Sequence, residues 1–154
     1  MKQVNMRSFS LAGALMAAAL LLGGASSAMG GEMANLVFQG DGSFNGAHGG
    51  QAIQVAVVEA DSGKVVATQS GTVSKTADPS FSFTFSGVLE TGKSYDVDYW
   101  IDSNFGGGSA GACDPKAHDH QWKVPLGAVT GDVTHTEKHR PAETTDVCDV
   151  FSKM

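Results

Sequence analysis

The stretch SFSFTFSGVLETGKSYDVDYWID, residues 80–102, decides the fold. Its first half sets Phe81, Phe83 and Phe85 at every second position, with Ser82 and Thr84 between them. A strand turns successive side chains to opposite faces, so the three rings share one face and the polar residues the other. Its second half repeats the pattern: Tyr95, Val97, Tyr99 and Ile101 form an inward face, and Asp96, Asp98, Trp100 and Asp102 an outward one. Two alternating strands with a short link between them are the unit of an antiparallel sheet with one buried face.

The same period of two continues on either side. Asn35 to Gln39 reads as a strand, with Leu36 and Phe38 on one face. Residues 40 to 50 are glycine-rich and read as loop. Gln51 to Ala60 alternates again through Ile53, Val55 and Val57; Asp61-Ser62-Gly63 is a hairpin turn, and Lys64 to Val73 returns. Beyond the quoted stretch, Trp122, Val124 and Leu126 mark one strand, Val129 to Thr136 the next, and Thr144 to Phe151 the last. One helical turn fits Asp114 to Ala117, where an Asp can cap and Pro115 suits the first position. Seven to eight short strands with turn signals between them predict an all-β chain folded as a single antiparallel β-sandwich.

The segment Phe83-x-Phe85-x-x-Val88-Leu89-x-x-Gly92-x-x-Tyr95-x-Val97 resembles a pattern of prealbumin-like (transthyretin-like) secreted bacterial β-sandwich modules. A phenylalanine strand there leads through a Leu and a turn Gly into a Tyr-x-Val strand. The resemblance covers about 15 residues and implies a sandwich of Ig-like or prealbumin-like type. Asp102-Ser103-Asn104 resembles the start of an Asp-x-Asn-x-Asn-Gly loop read as calcium-binding in exported bacterial domains. The sequence departs from it at Phe105-Gly106-Gly107-Gly108, which brings no further carboxylate.

The N-terminus reads as a secretory leader. Lys2 and Arg7 precede an apolar run from Phe9 to Leu22, and small residues follow, with Ser26 and Ala28 in the cleavage pattern. The apolar run falls short of the roughly 20 residues that cross a bilayer. The expected organisation is a signal peptide over 1–28 and a β-sandwich domain over 29–154, exported to the periplasm or the extracellular medium, with no membrane insertion after cleavage. Removing the leader takes two basic residues and no acid, so the net charge of −6 becomes −8. Such acidity argues against nucleic acid as a partner. In an exported chain the two cysteines, Cys113 and Cys148, predict one disulfide.

The segment from Asp102 to His120 is where chemistry is expected. It is longer than the loops of about 12–15 residues that compact domains tolerate without a function. It carries Asp102, Asn104, Asp114, His118, Asp119 and His120 as candidate metal ligands. Calcium takes oxygen donors from the Asp and Asn residues. Zinc or copper takes imidazole, and His118-x-His120 places both rings on one face of an extended segment, about 6.6 Å apart at Cα. His135 and His139, or His48, complete such a site where the fold brings them near. Asp98 sits about 13 Å from Asp102 along its strand; with Trp100 it forms a candidate outward ligand patch. No Gly-x-Ser-x-Gly elbow, paired-cysteine redox motif or phosphate-cradling glycine loop is present, so a non-enzyme is expected. Two readings follow. One is an exported binding or structural accessory module with a protein partner, met through loops or an added strand. The other is a metal-binding protein for copper, zinc or calcium, using the Asp102–His120 loop.

Overall fold

In a computed structural model the described residues, 30–154, form seven strands in two sheets. The strands are β1 (Met33–Gly40), β2 (Ala52–Glu59), β3 (Lys64–Thr72), β4 (Phe81–Glu90), β5 (Ser94–Ile101), β6 (His120–Ala128) and β7 (Val133–Glu137). One sheet has the order β4-β1-β7 and the other β3-β2-β5-β6. The expected leader lies outside the described residues.

The alternating pattern translates directly into burial. Phe81, Phe83 and Phe85 of β4, Leu36 and Phe38 of β1, and Tyr95, Val97, Tyr99 and Ile101 of β5 all lie in one hydrophobic cluster between the sheets. Phe38 links the layers, with its ring 5.2 Å from Tyr99 and 6.1 Å from Phe81. Rings at such spacings add attraction beyond the area they bury.

Four features depart from the sequence reading. First, β1 pairs with β7 in parallel, although every other pair is antiparallel. β7 follows a strand of the other sheet and crosses over to enter beside β1, which leaves its direction free of any hairpin constraint. Second, residues 144–151 are not a strand. Pro141–Glu143 is a 3-10 turn, and Cys148–Phe151 is a single helical turn, α2. A ladder begins, with Thr145 N–H donating to the Gln121 carbonyl, but the next bond is from Val147 N–H to the Gln121 side chain. The Cys113–Cys148 disulfide then draws the chain off the strand path, with Cα atoms 5.4 Å apart. Third, residues 40–50 are not all loop: Gly42–Phe44 is a 3-10 turn and Asn45–His48 a helical turn, α1. Fourth, the outward face of β5 is covered. Asp98 is 0 % and Trp100 5 % exposed, and Phe151 of α2 meets the Trp100 ring edge-on at 6.3 Å. Trp100 Nε1–H donates to Gln54. Asp98 and Trp100 are therefore buried, and Trp100 lines a surface pocket with Gln54, Cys148 and Phe151.

Candidate metal centre

Three imidazoles from three distant parts of the chain converge at one end of the sandwich. His48 closes α1, His120 opens β6, and His139 lies two residues beyond β7. His48 Nε2 stands 3.0 Å from His139 Nε2 and 3.0 Å from His120 Nδ1, and the third side of the triangle is 3.5 Å. Tetrahedral zinc with Zn–N of about 2.0–2.1 Å holds its nitrogens about 3.3 Å apart. The three ring nitrogens thus already have the separation that one ion imposes.

Each ring is delivered by local structure. Asp41 N–H donates to the Glu137 carbonyl at 2.9 Å and ties the start of the loop to β7. The Asp41 carboxylate then accepts from Ser43 N–H and caps the turn that follows. Phe44 is fully buried, and four residues later His48 enters the interior with 0 % exposure. His48 Nδ1–H donates to Gln51 Oε1 at 2.6 Å, which leaves the Nε2 lone pair facing the other two rings. Such an outer partner fixes the tautomer of a metal-ligating histidine. His139 N–H donates to Ser43 Oγ at 2.9 Å, so the loop that brings His48 also anchors His139. Trp122 packs edge-on against all three imidazoles, and its Nε1–H donates to the Arg140 carbonyl beside His139. Burial lowers the pKa of all three, that of His48 to about 4. Near neutral pH the rings are uncharged and their lone pairs are free to coordinate.

The fold brings together only one of the six candidate ligands of the Asp102–His120 loop, His120. The others do structural work. Asp119 is fully buried and accepts from three backbone N–H groups: Ser103 at 2.9 Å and Asn104 at 3.1 Å on one oxygen, Asp114 at 3.0 Å on the other. Asp102 accepts from the Asn104 amide and from Gly111 N–H, and Asp114 from Ser109 N–H. These oxygens order the glycine-rich segment and do not assemble an oxygen cage among the described residues. Gly108 belongs to this packing: at φ +106° a Cβ would come within 2.9 Å of the Asn104 and Asp114 side chains. His118 turns away from His120, because a turn at Pro115 breaks the extended run; His118 N–H donates to the Pro115 carbonyl at 2.7 Å, and its Nδ1–H to the Phe105 carbonyl at 2.9 Å. His135 lies outside the triangle, stacked on Phe38 with Nε2 2.7 Å from Glu137.

The disulfide is present and fastens this loop, through Cys113, to Cys148 in the C-terminal segment. Gln121, next to His120, knits the loop to the C-terminal segment by donating to the Asp114 carbonyl at 2.5 Å and accepting from Val147 N–H at 2.9 Å. The bridge between Cys113 and Cys148 reinforces that seam, and such a bond persists in an oxidising compartment. No protein-family model, curated protein or solved structure matches this chain.

Proposed function

We propose that the protein binds one transition-metal ion, copper or zinc, through His48, His120 and His139. The observation that carries the reading is the convergence of three uncharged imidazole nitrogens to within 3.5 Å of one another. Histidines gather in this way at a structural cost. Their burial disfavours the protonated form, and three lone pairs facing one point have no partner in one another unless a ring shifts its proton. A cation at the centre satisfies all three.

The all-nitrogen donor set suits copper and zinc, whereas calcium takes six to eight oxygens. By the intrinsic order of divalent ions copper binds such a set more tightly than zinc. The disulfide supports an exported setting, and the two-sheet arrangement of seven strands supports the prealbumin-like reading of residues 83–97. Metal analysis of the natively exported protein tests the function. The expected result is one copper or zinc per chain, lost when His120 or His139 becomes Ala. Protein that neither carries nor takes up an ion at stoichiometric concentration refutes it.

A further inference from the structure

The surroundings of the triangle are unequal. Toward the core it is walled by Trp122 and Phe44, which are 2 % and 0 % exposed. Toward solvent, where His120 and His139 are only half-buried, one ring stands over it: Phe105, 43 % exposed, with its centroid 4.7 Å from His120 and 6.2 Å from His48. Phe105 is not a casual surface residue. Its N–H donates to the His118 carbonyl at 2.8 Å, and its carbonyl accepts from His118 Nδ1. His118 thus grips the Phe105 backbone at both ends and holds its ring at the mouth of the site.

Charge and coordination number point the same way. Three neutral imidazoles contribute no negative charge, so a divalent ion among them keeps both of its own. The carboxylate next in sequence, Asp119, has each oxygen committed to backbone N–H groups. Cysteine, aspartate and glutamate add no fourth donor to the cluster among the described residues. Zinc and copper take at least four ligands in most protein sites, and where the protein gives three the fourth comes from solution. An ion carrying two uncompensated charges beside aromatic walls draws an anion, because charge in a poorly solvated setting is costly unless paired.

Building on the metal-binding reading, we infer that the ion held by His48, His120 and His139 takes its fourth ligand from solution, and that this ligand is a small monodentate anion bounded by the Phe105 ring. Phe105 sets the size. A slender anion fits beside the ring, whereas a bulky or chelating ligand meets it. On binding, the anion displaces water from the ion and no protein ligand leaves.

Cobalt(II), a spectroscopic stand-in for zinc, provides the test. The exported protein is titrated with cobalt, then with azide or with imidazole, and the visible spectrum is followed. One cobalt per chain is expected, absent in His139→Ala, with a saturable azide-induced change in the bands. Phe105→Ala, at a half-exposed ring, keeps the far-ultraviolet circular dichroism of the parent. It should bind azide with little change but imidazole about tenfold more tightly, the scale on which a pocket wall discriminates by size. Cobalt that binds at the histidines but is indifferent to azide overturns the inference and leaves the metal reading standing. Equal imidazole affinity in the parent and Phe105→Ala overturns the role of Phe105. A protein that binds no cobalt overturns both the inference and the reading beneath it.

Discussion

Acidifying the metal-free protein sets two buried groups against each other. His48 is fully buried and its folded pKa falls from 6.5 to about 4. Between those values the unfolded chain binds the proton and the folded chain does not, so stability rises with pH across this window. At about 1.36 kcal/mol per pH unit the contribution is about 3 kcal/mol, complete near pH 6.5 and gone below pH 4. His120 and His139, also lowered, act in the same direction. Asp98 does the reverse. It is 0 % exposed and neither carboxylate oxygen has a hydrogen-bond partner; its nearest cation is Lys123 Nζ at 3.9 Å. Burial raises its pKa from 3.8 to about 6, so the folded chain holds a proton that the unfolded chain has lost, and stability falls by about 3 kcal/mol as pH rises through that window. The His48 and Asp98 contributions nearly cancel between about pH 4 and 6, which leaves the parent the climb from His120 and His139. Asp98→Asn removes the falling one. Urea unfolding in the presence of a chelator should give a shallow climb for the parent over this range, and a climb steeper by about 2–3 kcal/mol for Asp98→Asn. At pH 7 the variant should be the more stable of the two. Equal slopes for parent and variant would refute the account of Asp98. A flat variant beside a climbing parent would refute the whole scheme, because it leaves His48 without its cost.

The candidate metal centre and its frame give further expectations. A saturating ion, at about a hundred times its dissociation constant, should raise the stability of the parent by about 2.7 kcal/mol and leave His139→Ala unchanged; calorimetric melts with and without zinc measure this. Gln51→Leu removes the acceptor from His48 Nδ1, and should weaken zinc binding about 10- to 100-fold in competition titrations with a chromophoric chelator. Replacing Cys113 and Cys148 by Ser opens a bridge spanning 35 residues and should cost about 4 kcal/mol, read as a lower midpoint in urea. Asp119→Ala strands the Ser103, Asn104 and Asp114 N–H groups, and should speed amide hydrogen exchange there while costing about 2–3 kcal/mol.

The sheets were legible in the sequence because their signal is local. Phe81, Phe83 and Phe85 need no knowledge of the rest of the chain to declare a buried face, and all three are buried. The parallel partnership of β1 and β7 was not legible, because nothing in Val133–Glu137 records which strand lies beside it. Residues 144–151 alternate as a strand would, but a covalent bond to Cys113 and the Gln121 side chain set their path. The histidine cluster shows the same limit. His118-x-His120 stood out because two histidines are close in sequence, yet the turn at Pro115 parts them. His48 and His139 are 91 residues apart and become neighbours only because Asp41 and Ser43 fasten the first loop to the end of β7. In β5 the pattern was followed, yet its outward residues Asp98 and Trp100 are buried, Trp100 against Phe151 of α2.

Where a chain breaks the rules that favour stability, the break itself is informative. Position 48 lies inside a shell of Phe44, Trp122 and Phe105, and an apolar residue there would pack without any pH penalty. The sequence instead places an imidazole there, orients it with Gln51, and sets two more imidazoles against its free nitrogen. None of this helps the metal-free fold: burial depresses each pKa, and each depression is stability lost on mild acidification. A metal ion reverses the sign of every one of these terms. Burial that disfavours a proton spares the ion its strongest competitor, the Gln51 hydrogen bond that constrains the ring now presents a ligand, and the 3.0–3.5 Å spacing that crowds three lone pairs becomes a coordination shell. A set of features that each cost the fold something, and that one cation would turn to advantage together, is better explained by binding than by packing.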